Sequence, residues 1–212
     1  MIAPLVVAAA RLLSGAQARW AGCAPSARQR IYFANHTSHL DFVVLWAALP
    51  RAVRALTRPV AARDYWEPNV LRRYLAARVF NAVLVDRQDS TGQSALDRAE
   101  RVEAARRTVE QTAQALGSQH SLIVFPEGTR GSGAEVGPFK SGLYYLGQLR
   151  PDVELVPAYL ENLNRILPKG EVVPVPLIAS VTFGTPLTLA AGEGRDAFLA
   201  RARRALLDLR RA

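Results

Sequence analysis

His36 and Asp41 stand five residues apart in Asn35-His36-Thr37-Ser38-His39-Leu40-Asp41, and an imidazole beside a carboxylate is a general-base pair. The carboxylate fixes the ring tautomer and supports the imidazolium, while the far nitrogen takes a proton from a hydroxyl. On a regular helix, residues five apart point about 140° from each other, so the two can meet only across a break. An apolar strand at 31–34 runs into the polar cluster, and an apolar helix begins near Leu40. That break puts His36 on the turn and Asp41 in the first helical turn. The plainer alternative is a loop histidine and an aspartate that only complements the helix N-terminus. A metal held by His36, His39 and Asp41 would need a further ligand, and His120 is far along the chain; no metal is expected.

A second group follows a buried strand. Leu122-Ile-Val-Phe125 stops at Pro126, and Glu127-Gly128-Thr129-Arg130 makes a tight polar turn, trailed by Pro138-Phe139-Lys140-Ser141-Gly142. Gly128 permits a close approach or a backbone conformation that a Cβ would forbid. Arg130 offers a planar fork suited to phosphate and Lys140 a point charge. Glu127 either closes a plain salt-bridged turn with Arg130 or orients it toward a ligand, and the two roles are compatible. Asp86-Arg87 ends another apolar run, and Leu155-Val-Pro157-Ala-Tyr-Leu160 is a strand whose internal proline suggests an edge or a bulge.

The elements that must position these groups alternate. Strand patterns lie at 31–34, 52–57, 79–85, 122–125, 154–160 and 178–183, and helical patterns at 40–49, 64–78, 94–116, 140–149 and 195–210. The alternation predicts an α/β fold, a layered, largely parallel or mixed sheet flanked by helices. Reactive groups in such sheets sit on turns at the carboxyl ends of strands, where all these motifs fall.

The chain has 212 residues, half of them hydrophobic, enough for one core with a small appendage. It carries 27 Lys plus Arg against 18 Asp plus Glu, a net charge of +9. Such a field favours an anionic partner: nucleic acid, a phosphorylated small molecule or an acidic membrane face. The arginines lie along amphipathic helices, with no aromatic-interleaved basic strand and no recognition-helix signature, so no nucleic-acid partner is expected. Cys23 is the single cysteine and reads as a small apolar residue. The apolar run at 2–10 falls short of the ~20 residues that span a bilayer, and its positive charge follows it, unlike a signal peptide. The reading is a short N-terminal helix (1–24), either packed on the core or, the reading preferred because Arg11, Arg19 and Trp20 follow the apolar run, lying in a membrane interface, and then one catalytic domain (25–212).

Taken in order, NH-x4-D, a strand ending in Asp-Arg, FPEGTR with a trailing FK-x-G, then VPAYL resembles the 1-acylglycerol-3-phosphate (lysophosphatidate) acyltransferases, a glycerolipid acyltransferase family. The resemblance covers residues 31–160, and FPEGTR is its most specific block. It implies that His36 activates the acceptor hydroxyl and Asp41 orients it. It also implies that Arg87, Glu127, Gly128 and Arg130, with Thr129 and Lys140 beside them, bind the acceptor's glycerol phosphate. The block around Pro157 is associated with the acyl donor or the pocket shape. The implied reaction moves an acyl group from acyl-CoA or acyl carrier protein to 1-acyl-sn-glycerol-3-phosphate, giving phosphatidate. It needs no cofactor and no Ser or Cys nucleophile, and backbone N–H groups of the third block or a nearby cation would serve the oxyanion. Another acceptor, such as a lyso-ornithine lipid, a different lysophospholipid or a glycolipid, stays open. Many members carry one or two long hydrophobic segments before the first block, and this chain shows only the short run at its start. The expected place is therefore peripheral or monotopic, on the anionic cytoplasmic face of the cell membrane.

Overall fold

A computed structural model describes residues 2–15, 17–38, 40–86, 95–131, 135–163 and 179–211. The strands are β1 (Gln17–Trp20), β2 (Arg30–Ala34), β3 (Thr57–Ala62), β4 (Val83–Val85), β5 (Ser121–Val124), β6 (Glu154–Glu161) and β7 (Ser180–Phe183). They form one sheet in the order β1-β7-β6-β2-β5-β3-β4. Pairing is parallel throughout except between β6 and β7. The sheet is thus mixed and largely parallel, as expected, and its five parallel strands share one carboxyl edge.

The middle strands are apolar on both faces, as strands covered on both sides must be. Tyr32, Ala34 and Ile123 face one core; Ile31, Phe33, Leu122 and Val124 face the other. The first core is roofed by α1 (Ile2–Ser14), α2 (Asp41–Ala48), α3 (Arg51–Ala55), α4 (Arg63–Trp66) and the π turn at Leu75–Val79 that continues the exposed α5 (Val70–Tyr74). The second is roofed by α6 (Ala95–Leu116), α7 (Gly142–Leu149) and α8 (Arg195–Asp208). Among the described residues no helix is long and apolar enough to cross a membrane.

Four local expectations change. The 52–57 strand is instead α3, and the strand follows it as β3, which carries Pro59. That proline is tolerated because β3 pairs β5 through Thr57–Pro59 and β4 only from Val60 on, so its missing N–H falls where the ladders change sides. The 64–78 helix is cut at Pro68 into α4 and α5, and the 79–85 strand shortens to β4 because Asn81 turns the chain at φ +49°. Gln17–Trp20, within the stretch read as the N-terminal helix, forms an outer strand of the sheet against β7.

Pro157 lies in an interior strand, between β2 and β7. Its carbonyl accepts from the Gly184 N–H at 2.9 Å. Ala158 faces Phe183 while Leu155 faces Leu187, so the partner segment carries one extra residue there. The proline sits beside a bulge where the β6–β7 ladder has already opened.

Candidate active site

β2 ends at Ala34 and α2 opens at Asp41. The turn between them is tied down from its first residue. Asn35 is buried, and its amide donates to the Leu160 carbonyl at 2.9 Å and accepts from the Leu160 N–H at 2.8 Å. It thereby extends the sheet contact to β6 by a side chain.

His36 Nδ1 lies 2.8 Å from Asp41 Oδ2. The aspartate is fully buried, and the same oxygen accepts from the N–H groups of Thr37 at 2.5 Å and Ser38 at 2.8 Å. A buried carboxylate persists only when donors replace water, and here three converge on one oxygen at the start of a helix. Oδ1 has no partner among the described residues. The ring of His36 stacks on Phe125 with centroids 4.4 Å apart and planes 26° apart. Phe125 sets the plane of the ring and Asp41 its rotation. A carboxylate at Nδ1 holds the proton there and leaves the lone pair on Nε2, on a side chain still 24% exposed.

Glu127 is nearly buried, and both of its oxygens meet backbone. Oε1 accepts from the His36 N–H and Oε2 from the Gly137 N–H, each at 2.8 Å. Glu127 forms no ion pair with Arg130 among the described residues; its carboxylate instead ties the backbone of His36 to that of Gly137. The Gly131 N–H donates to the His36 carbonyl at 2.8 Å, so the third block holds the histidine's backbone from both sides. Behind Glu127, the Arg203 guanidinium on α8 donates to the carbonyls of Val136 at 2.6 Å and Gly137 at 3.2 Å. Nothing in the sequence distinguished Arg203 from the other arginines of a basic helix.

Glu127→Gln would put an amide donor against one of two backbone N–H groups. We expect about 1–3 kcal/mol of lost stability, several degrees of melting temperature for a domain this size. Turnover of the folded variant should fall at an almost unchanged acceptor KM. A lower melting temperature with wild-type turnover would reduce Glu127 to a purely structural clamp.

Gly128 adopts φ +71°, a conformation that favours glycine, and a Cβ there would come within 2.7 Å of Lys140 Nζ and push that side chain aside. Lys140 lies across that turn, and a recess of about 380 Å³ lies between Thr129, Gly131, Glu135, Phe139 and Lys140. Neither Lys140 nor the half-buried Arg130 forms an ion pair among the described residues. The Gly128 N–H is bonded to the Phe125 carbonyl at 3.0 Å, so neither it nor the Gly131 N–H is left for an oxyanion. Arg87 lies outside the described residues, as does His39; Asp86 beside Arg87 is bonded to Arg63 at 2.9 Å. Among the described residues no cluster of His, Cys, Asp and Glu could hold a metal.

The chain is similar in sequence and fold to known proteins. A family model described as Acyltransferase matches residues 22–161. The 1-acyl-sn-glycerol-3-phosphate acyltransferase of Limnanthes alba is 29% identical over 154 residues, covering 71% of this chain and 48% of the relative. That of Cocos nucifera is 27% identical over 160 residues, covering 74% and 45%. The chain thus spans about half the length of the curated relatives it matches. The crystal structure of the 1-acyl-sn-glycerophosphate acyltransferase PlsC from Thermotoga maritima superimposes with a TM-score of 0.66 at 18% identity, covering 98% of this chain and 78% of that one. That likeness is one of fold.

Proposed function

The chain belongs to the acyltransferase family, and from that we propose that it transfers an acyl group from a thioester to the free hydroxyl of a lysophospholipid, most plainly 1-acyl-sn-glycerol-3-phosphate. The observation that carries this reading is the 2.8 Å contact between His36 Nδ1 and Asp41 Oδ2 at the carboxyl edge of the sheet. Arg130 and Lys140, which form no ion pair among the described residues, follow the neighbouring strand. His36 Nε2 takes the hydroxyl proton as the oxygen attacks the thioester carbonyl. The tetrahedral intermediate then collapses, the C–S bond breaks, and the departing thiolate of acyl-CoA or acyl carrier protein receives that proton. The thioester is already activated, so no acyl-enzyme is required.

Arg130 and Lys140 hold the acceptor's phosphate in this scheme, and the product is phosphatidate. The reaction takes place on the anionic cytoplasmic face of the membrane, with the protein bound peripherally or monotopically.

The test is an acyl-transfer assay on a panel of lyso-lipids, with acyl-CoA and acyl carrier protein as alternative donors. Lysophosphatidate should be the preferred acceptor. A charge-assisted contact is worth about 1.5–3 kcal/mol, so Arg130→Ala and Lys140→Ala should each raise its KM by about 10- to 100-fold. Neutral lyso-lipids should be used equally by both variants and the parent. Efficient acylation of another acceptor, with lysophosphatidate turned over only at non-physiological levels, would overturn the choice of substrate.

A further inference from the structure

The segment after α4 turns its apolar residues away from the core. Val70 is 72% exposed, Leu71 65% and Tyr74 45%, and α5 has no buried residue. Asn69 caps this turn by accepting from the N–H groups of Leu71 and Arg72 at 2.9 and 3.1 Å, so the exposed side chains stand on a formed turn. Burial begins just beyond it, where Leu75, Ala76, Val79 and Phe80 pack into the core. The fold therefore buries little of Val70 and Leu71 and only about half of Tyr74, and water is a poor partner for three large apolar groups gathered on one turn.

The charges among them are of one sign. Arg72, Arg73 and Arg78 are exposed, and residues 68–80 contain no Asp or Glu. Arg72 lies over the Tyr65 ring at 4.3 Å. Glu67 and Asp86, acidic residues flanking the segment, are both bonded to Arg63. Apolar and tyrosyl groups interleaved with arginine match the boundary of an anionic bilayer, where phosphates take the guanidinium groups and acyl chains the rest.

The place matters as much as the composition. Trp66, at the end of α4, packs edge-to-face on Phe42 at 5.5 Å, and Phe42 follows Asp41 in α2. β3 ends at Ala62 and runs straight into α4, so the exposed turn follows the same carboxyl edge of the sheet that β2 leaves just before His36.

We infer that the 70–74 turn, with Arg72, Arg73 and Arg78, seats this edge of the molecule on an anionic bilayer, with Val70, Leu71 and Tyr74 entering among the headgroups. This contact is separate from α1. It deepens the lipid-acylating reading above, yet its test requires no catalysis.

The full chain is floated with vesicles of phosphatidylcholine alone or mixed with phosphatidylglycerol. Binding should need the anionic lipid and weaken with salt. Each exposed cation near such a surface contributes roughly fivefold in partitioning, and each buried apolar side chain a comparable amount. The Val70→Asp/Leu71→Asp and Arg72→Glu/Arg73→Glu variants should each therefore lower binding to mixed vesicles at least about tenfold. Their melting temperatures, and acyl transfer to a short-chain acceptor without vesicles, should match the parent, which excludes misfolding. A Tyr74→Trp variant should show a blue-shifted emission on the mixed vesicles. Parent-like flotation of both double variants would overturn the inference. So would a parent chain that dimerises through Leu71, with Leu71→Asp monomeric and equally well bound to vesicles, because a second copy would then cover the patch. A chain that floats as described but acylates nothing would sink the proposed function and leave this contact standing.

Discussion

Replacing His36 by alanine is expected to lower turnover by about 10²–10⁴-fold, the share that a positioned general base supplies, or about 3–5 kcal/mol of barrier. The fold should survive. Asp41 Oδ2 keeps the Thr37 and Ser38 N–H donors when the imidazole is gone, so the buried carboxylate is not orphaned. The His36 backbone contacts, N–H to Glu127 and carbonyl from Gly131, do not depend on the side chain. What is lost in structure is the stacking on Phe125, worth about 0.5–1.5 kcal/mol. Steady-state acyl transfer and thermal melting on the same preparation check both halves. A well-folded His36→Ala protein with near-parental turnover would remove the base from the mechanism and leave the pair as an ornament of the turn.

That the histidine and aspartate could meet is legible in the sequence, because an apolar strand running into an apolar helix supplies the break that their spacing needs; that they do meet is carried by the resemblance and its FPEGTR block rather than by the spacing. The role of Glu127 is not. Its partners are backbone N–H groups of His36 and Gly137, and a backbone donor leaves no mark in the residue types. A glutamate three positions from an arginine suggests the local pair; burial decides for the distant one. The same asymmetry runs through the fold. β2 and β5 announce themselves by continuous apolar residues, whereas Gln-Ala-Arg-Trp of β1 is mostly exposed and carries no strand pattern. Pro59 argues against a strand over 57–62, since its cost depends on which neighbour is bonded there, and sheet order is not written in periodicity. Arg203 is hidden for the same reason as Glu127: its acceptors are carbonyls.

Asp41→Asn gives a sharper measurement than Asp41→Ala, because of where the donors converge. All three bonds to the carboxylate, from His36 Nδ1 and the N–H groups of Thr37 and Ser38, land on Oδ2. An asparagine whose amide oxygen takes that position keeps every one of them, including the Nδ1–H tautomer. Its NH2 then occupies the place of Oδ1, which has no partner among the described residues. The opposite amide orientation would set a donor against two backbone donors. Asp41→Asn therefore removes the charge and spares the geometry. The charge matters when His36 becomes an imidazolium. Two opposite charges about 4 Å apart gain about 4 kcal/mol at an effective dielectric near 20, so the expected loss of turnover is about 10²–10³-fold. The buried, unbonded NH2 should also cost about 1–3 kcal/mol of stability. Asp41→Ala instead frees the turn and the tautomer together, and should lose more of both activity and stability. Nitrogen-15 NMR of the imidazole reads the tautomer directly. Nδ1–H retained with the expected loss assigns the effect to charge, whereas turnover within a few-fold of the parent would show that acyl transfer does not draw on the Asp41 carboxylate.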